Sequence, residues 1–330
     1  MLTYSIAIRT LGLGGDNFRR ELESITRQTV QPERVIVYIA EGYERPPFTV
    51  GREEYVWVKK GMVAQRVLPY KEISSQCILM LDDDVELHPC SAERMLREME
   101  ECGYDCMGAD IFENRNETIR QKINAMAGNL VFPHGGQKWA FKIHRNGSFS
   151  YLNNPIRTSY PSQSCCGALM LFRKDVYHKM RYEDELWLER LGFTFGEDLI
   201  ESHKLYRNGY RLGVSFDAEI KNLNSCTSSN SYRNAPDRMR LRTRAIFIMW
   251  WRTGYNLDSN SRIEKALTAL AFILKTLWMI FVMTGVSVAL RNNYIVQYIK
   301  GLREGWQFVH TPEFKSIPNY ILPKESAGSK

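Results

Sequence analysis

The chain has 330 residues, 44% of them apolar and 12% aromatic, a composition that belongs to a folded protein with a large core and excludes a disordered one. Its net charge of +7 leaves room for an anionic partner such as a phosphorylated substrate, an anionic lipid or a nucleic acid. The seven cysteines include no C-x-x-C pair and no zinc spacing, and an odd count with Cys165 beside Cys166 suits a reducing compartment better than a disulfide framework.

The opening MLTYSIAIRTLG is too short in its apolar part for a signal peptide and reads as a first strand, Tyr4 to Arg9. Asp16 or Asn17 then caps a helix running to Arg27. Val35 to Ile39 is a second strand and Tyr55 to Val58 a third. Gly61 to Tyr70 reads as helical, and Cys77 to Leu81 is the fourth strand. Strand and helix alternating at this spacing imply right-handed crossovers and a mostly parallel sheet. Ser91 caps a helix from Ala92 to Cys102, and Asp105 to Ile111 continues the sheet. Residues 112–160 hold Asn-Gly, Pro-His-Gly-Gly and Asn-Asn-Pro clusters, so loops and a hairpin are expected there. Gly167 to Phe172 is a further strand and Asp175 to Met180 a short helix. Phe195-Gly196-Glu197-Asp198 leads into a helix from Leu199 to Asn208, closed by Gly209, and Tyr210 to Phe216 is the last strand.

The tail changes character. Arg233, Arg238, Arg240, Arg242, Arg244 and Arg252 stand against the single acid Asp237, and residues 266–290 carry one formal charge, Lys275. A span of about 20 apolar residues can cross a bilayer, but a central lysine costs about 2.5–3.5 kcal/mol on insertion. With Arg291, Lys300 and Arg303 following, a helix lying in the membrane interface, or a helical hairpin, fits better than a simple span. A helix buried in a soluble domain is the other reading, and the Trp278, Phe281 and Met283 cluster suits it.

The most informative stretch is Ile78-Leu79-Met80-Leu81-Asp82-Asp83-Asp84. Three carboxylates at the exit of a buried strand repel one another unless a cation sits among them. Mg²⁺ and Mn²⁺ take oxygen ligands and complete their shells with substrate phosphates. Ligands of open α/β sheets bind at the carboxyl ends of strands. An acidic turn capping the next helix is the plainer reading. The second signal is Glu197-Asp198 at a helix start, where acids suit the helix dipole. A carboxylate fixed there can also take a proton from a sugar hydroxyl. Asp198 is the preferred base, with Glu197 and Glu201, one turn on, as substitutes.

Four stretches together carry a family resemblance: Asp82-Asp83-Asp84, Cys166-Gly-Ala-Leu-Met-Leu-Phe-Arg173 with Val176, Gly196-Glu197-Asp198-Leu199, and Leu205-Tyr-Arg-Asn-Gly-Tyr-Arg211. In order and spacing the chain resembles the family 2 glycosyltransferases over roughly residues 3–245. The resemblance implies a GT-A nucleotide-sugar-binding fold: α/β, with a mostly parallel central sheet flanked by helices. It implies that Asp84 binds a divalent cation, Mn²⁺ or Mg²⁺, with Asp82 near the ribose or the metal's water and Asp83 the least essential of the three. It implies that Thr10 lies against the nucleotide and that Asp198 is the base. Glu41 stands where relatives commonly carry an aspartate that reads the nucleobase. Arg66, in Gly61-Met-Val-Ala-Gln-Arg66, resembles the family's Gly-x-x-x-Ala-Arg-Asn stretch, with Val67 replacing the asparagine. Relatives often place a histidine after the last strand, whereas Glu219-Ile-Lys-Asn222-Leu-Asn224-Ser has none. An arginine from the basic group could neutralise the diphosphate instead.

The expectation is a catalytic domain over 1–230, with a nucleotide-sugar-binding half (1–110) and an acceptor half (111–230), and a membrane-associated helical region over 231–330. Its activity would be inverting sugar transfer from a nucleotide-diphospho-sugar to a glycan or lipid-linked saccharide, on the cytoplasmic face of a membrane, in surface polysaccharide synthesis. The absence of a Gln-x-x-Arg-Trp motif favours single transfers. The alternative is a catalytically silent nucleotide-sugar-binding subunit of a polysaccharide synthase complex. A nucleic-acid partner is not expected, because such an enzyme would need a further carboxylate in its metal site and would leave the apolar tail without a role.

Overall fold

Strands that are apolar at every position must be covered on both faces, and the short apolar runs of this chain are. The computed structural model describes residues 2–111, 139–152, 154–191, 196–223 and 235–323. An eight-stranded sheet is built from β1 (Tyr4–Thr10), β2 (Val35–Ala40), β3 (Glu53–Val58), β4 (Cys77–Asp82), β6 (Cys106–Ala109), β9 (Ser159–Ser162), β10 (Leu169–Arg173) and β11 (Leu212–Ser215), in the order β3-β2-β1-β4-β10-β6-β11-β9. The first four strands are mutually parallel, as are β6 and β11. β10 runs antiparallel between β4 and β6, and β9 is an antiparallel edge. This is the mostly parallel α/β architecture expected.

Alternate residues feed two cores. Ile6, Ile8, Val37, Ile39, Leu79 and Leu81 pack beneath α1 (Gly15–Thr26) and α2 (Ser91–Cys102), on Phe18, Leu22, Met95 and Leu96. Ala7, Ile36, Tyr38, Ile78, Met80 and Phe172 point the other way, toward Tyr70, Tyr177 of α3 (Lys174–Lys179) and Leu205 of α4 (Glu197–Arg207). The period of two in side-chain direction makes this division automatic.

Several local expectations are corrected. Gly61 to Tyr70 is a set of turns over Met62–Arg66 instead of a helix. The Glu189 carboxylate takes the Val63 and Ala64 amides at 2.5 and 2.7 Å, and beyond them Pro69 and the left-handed Tyr70 (φ 42°) stop propagation. Helix α1 starts at Gly15 without a side-chain cap, and Asn17 donates to the Leu223 carbonyl instead. Ser91 lies inside α2, its hydroxyl donating to the Glu219 carbonyl. Helix α4 starts at Glu197, after Gly196 at φ 90°, so both acids sit in its first turn. A small sheet pairing β5 (Val85–Leu87) with β12 (Ile220–Asn222) was not expected. The hairpin expected within 112–160 is β7 (Phe141–Ile143) with β8 (Phe149–Tyr151). Residues 112–138 and 224–234, which include the Pro-His-Gly-Gly cluster, Asn224 and Arg233, lie outside the described residues.

The C-terminal region is helical, as expected: α5 (Ala235–Trp250), a π-helical turn (Trp251–Tyr255), α6 (Arg262–Ala289), α7 (Tyr294–Val309) and α8 (Pro312–Lys315). It shares a third core with the segments before it, in which Phe247, Ile248, Met249 and Trp250 pack with Phe141, Trp187, Leu199 and Ile200. Polar ties reinforce the junction. The fully buried Glu185 carboxylate lies 3.1 Å from Lys204 Nζ of α4 and 2.8 Å from Arg252 Nη2 of the π turn. The Tyr320 hydroxyl donates to the Ile200 carbonyl of α4 at 2.6 Å. α6 is the helix among the described residues that is long and apolar enough to cross a membrane, yet only 22% of its apolar window is buried in the protein. A buried core helix would be covered all round, and Phe281 is 71% exposed. Lys275 turns inward, its Nζ donating to the Asn146 carbonyl in the β7–β8 turn at 3.1 Å.

Candidate active site

The carboxyl ends of β1 and β4 lie side by side, with Arg9 opposite Asp82 in register. A buried arginine needs an acid, and Arg9 Nη2 meets Asp82 Oδ1 at 2.6 Å. Arg66, delivered by the turns after β3, approaches the same oxygen at 3.5 Å and Glu197 Oε1 at 3.8 Å. Both guanidiniums also donate to the Gly167 carbonyl, at 2.9 and 3.1 Å. The amide of that same residue donates to Asp198 Oδ2 at 2.9 Å. Gly167 therefore joins the two acidic motifs, which lie about 115 residues apart in the chain. A Cβ there would stand 2.5 Å from Arg66 Nη1 and 2.6 Å from Asp198 Cβ, so only glycine allows the approach.

The three aspartates differ in setting. Desolvation works to raise Asp82, but Arg9 and Arg66 outweigh it and hold its carboxyl below the usual range. Asp83 accepts a 2.5 Å hydrogen bond from Thr10 Oγ1, which is itself bonded by the Gly12 amide. Burial, with Asp82 and Asp84 as neighbours, still pushes Asp83 up to about 6. Asp84 sits partly exposed in the turn into β5, and its carbonyl accepts from the Leu223 amide. The segment that lacks the expected histidine therefore runs directly beside Asp84. Glu41 lies exposed just past β2 at the same edge of the sheet, outside the ion-pair cluster.

In α4, Asp198 is held by two amides, those of Gly167 and Leu199. Burial and the adjacent Asp198 push Glu197 up to about 7, with Arg66 opposing. Glu201, one turn on, is buried, and its Oε1 has no hydrogen-bond partner among the described residues. Burial pushes it up to about 8 despite Arg66 and Arg9.

Thr10, Arg66, Asp82, Asp83, Glu197 and Asp198 are thus brought together, with Asp84 next to them in the chain. Sequence reasoning missed Arg9, Gly167 and Gln65, whose amide nitrogen bridges the Thr10 and Tyr38 carbonyls at 3.2 and 3.3 Å. It also missed Glu21, fully buried beneath the turn and raised by burial and by Asp83. A charged residue closing an otherwise apolar strand was the available signal for Arg9. Among the described residues no three His, Cys, Asp or Glu side chains are grouped so that they could hold a metal ion by themselves. The donors present are hard oxygens in an open, electronegative turn, which suits a cation that completes its shell with water and phosphate.

No family model matches the chain. Over 108 residues it is 34% identical to a Bacillus subtilis (strain 168) protein described as "Uncharacterized glycosyltransferase YwdF"; the match spans 29% of this chain and 39% of that relative. Among solved structures, S. aureus TarS 1-349 in complex with UDP is similar at 14% identity and a TM-score of 0.45, covering 82% of this chain and 71% of that one. GalNAc-T7 with UDP, GalNAc and Mn²⁺ is similar at 13% identity and a TM-score of 0.49, covering 82% and 55%.

Proposed function

We propose that this chain, similar over one segment to a glycosyltransferase, is itself an inverting glycosyltransferase. It would move a sugar from a nucleotide-diphospho-sugar to a glycan or lipid-linked acceptor, in surface polysaccharide synthesis on the cytoplasmic face of a membrane. The observation that carries this reading is the junction at Gly167, where the aspartate turn and the Glu-Asp helix meet at the carboxyl edge of the sheet.

The chemistry follows from the two halves. The acceptor hydroxyl gives its proton to Asp198 as its oxygen attacks the anomeric carbon. The bond from that carbon to the β-phosphate oxygen breaks, and its electron pair stays on the nucleotide diphosphate. One displacement inverts the centre, so no protein nucleophile is needed. Two amide donors fix the Asp198 carboxylate while leaving lone pairs for the hydroxyl. Asp84 would hold Mn²⁺ or Mg²⁺, with Asp83 beside it and Asp82 in support. Such an ion, when bound, offsets charge on the leaving diphosphate. Thr10 and Glu41 border the nucleotide side of the sheet edge. Arg66 lies between Asp82 and Glu197, paired with both, and offsets their mutual repulsion.

Incubation of the purified chain with labelled nucleotide sugars and Mn²⁺ tests the reading. Donor hydrolysis or transfer that disappears in Asp84→Ala is expected. No turnover with any donor, together with no effect of that substitution, would sink it. Donor binding without turnover across a broad acceptor panel would select the silent-subunit reading, which the missing histidine and Glu41 favour.

A further inference from the structure

We propose that the C-terminal helices seat this protein on an anionic lipid surface, with α6 lying lengthwise in the interface instead of crossing the bilayer. What the docking serves rests on the glycosyltransferase reading; the docking itself is read from α6 and its neighbours alone.

α6 is about 42 Å long at ~1.5 Å per residue. Its outer face carries Ile263, Leu267, Leu270, Leu274, Leu277 and Phe281, each 40% or more exposed. Their spacing of three and four keeps them on one side of the helix. An uninterrupted apolar stripe of this length is far more than scattered surface hydrophobics. The helix's central charge does not break it, because Lys275 is turned onto the Asn146 carbonyl.

The opposite face fixes the orientation. Thr268, Ala271 and Phe272 in the first half and Met283 and Ser287 in the second are buried on it, so the helix rests on the protein at two places about fifteen residues apart. Phe272 stacks on Trp250 with ring centroids 4.0 Å apart. A transmembrane course would strip that face from the protein. A helix held to the protein on one side, with an apolar outer side, has the geometry of an interfacial one.

Charge selects the lipid. Arg262 and Arg291 are exposed at the two ends of α6, and Lys300 and Arg303 are exposed on α7 near Val296, Ile299 and Trp306. Of the acids nearby, Glu264 closes the capping box with Ser261 and Glu304 pairs with Arg240, while Asp258 is exposed ahead of Arg262. The surface is thus apolar with a cationic rim, complementary to anionic headgroups over acyl chains. A second copy of the chain would also like the three-four spacing. A seam between helices in water, however, is flanked by charges, and here the stripe is flanked by Ala266, Ala269, Ile273 and Gly285.

The test is co-sedimentation of the full chain with vesicles of phosphatidylcholine alone or mixed with phosphatidylglycerol. Binding to the mixed vesicles that weakens with salt is expected. The double variant Leu274→Glu/Leu277→Glu should lose at least about tenfold in partitioning. Its thermal midpoint and donor hydrolysis should be unchanged, since both side chains face outward; Ile156→Glu, on an exposed loop, should change nothing. Nitroxides on Ile263→Cys, Leu274→Cys and Val288→Cys should report similar depths. Graded depths through the bilayer would mean a span and overturn the proposal. So would vesicle binding that survives the double variant, or absence of binding with a dimer that the variant splits. Loss of donor turnover with intact vesicle binding would refute the enzyme reading and leave this one standing.

Discussion

Removing the carboxylate of Glu185 should destabilise the protein as one cooperative body. That carboxylate and Lys204 are fully inaccessible to solvent, and Arg252 is nearly so. Glu185→Ala leaves an ammonium and a guanidinium in the interior with no counter-charge. Breaking a buried pair in this way costs about 3–5 kcal/mol. Trp187 Nε1 also loses its 2.8 Å acceptor, worth about 1 kcal/mol more. At a few degrees per kcal/mol the thermal midpoint should fall on the order of 10 °C. Urea denaturation followed by both fluorescence and far-UV circular dichroism measures the change. Glu183→Ala, exposed two residues away, should stay within about 0.5 kcal/mol of the parent. Because Glu185 links α4 to the π turn after α5, both probes should shift together. A loss below about 1 kcal/mol, or a separate early transition of the C-terminal helices, would refute the argument that the two regions share one cooperative core.

Gly167→Ala should fold but lose transfer by about a hundredfold, as displaced catalytic groups do, and circular dichroism with steady-state kinetics would separate the two effects. Asp198→Asn should lower transfer about 10²–10⁴-fold with donor binding kept, whereas Glu197→Gln should retain most of it; the opposite order would move the base to Glu197. Chelating the divalent cation should weaken binding of a nucleoside diphosphate more than of the nucleoside alone, as titration calorimetry can read. Stability should fall as pH rises between about 4.5 and about 8, because folded Glu201, raised to about 8, keeps a proton that the unfolded chain has released. Glu185, held low by Arg252 and Lys204 against burial, works the other way and loses its contribution as pH falls through its folded value. In Glu201→Gln the alkaline slope should flatten, and an unchanged slope would assign it to another group.

The sheet was legible because its inner strands are short, mostly apolar runs buried on both faces. β9 was not, since Ser159-Tyr-Pro-Ser offers one large apolar residue and a proline that only an edge strand accepts. The turns at Met62–Arg66 were misread because the group that ends them, Glu189, is more than a hundred residues away. In the site, acids at the ends of a strand and a helix stood out against local expectation. Gly167 did not, because its role is a close approach that exists only once β10, α4 and Arg66 are assembled. Glu201 shares a helix face with Glu197 four residues earlier, but nothing in Leu-Ile-Glu-Ser distinguishes a buried acid from an exposed one.

The balance of charge explains why the aspartates are three. Arg9 and Arg66 stand against Asp82, Asp83, Asp84, Glu197 and Asp198, so the guanidiniums are outnumbered before any ligand arrives. Asp82 pairs with both, tying the β1–β4 edge and orienting the two guanidiniums that donate to the Gly167 carbonyl. Asp83 is partly relieved by Thr10, yet burial, with Asp82 and Asp84 beside it, still pushes its carboxyl up to about 6. A diphosphate brought to this edge would add to the negative side of the ledger. A divalent cation between the turn and the phosphates reverses the sign of that contact, and it also favours the ionised forms of Asp83 and Asp84. The arginines organise the protein side of the site, and on the proposed reading the electronegative remainder at Asp83 and Asp84 would make a metal-bound donor a better ligand than the donor alone.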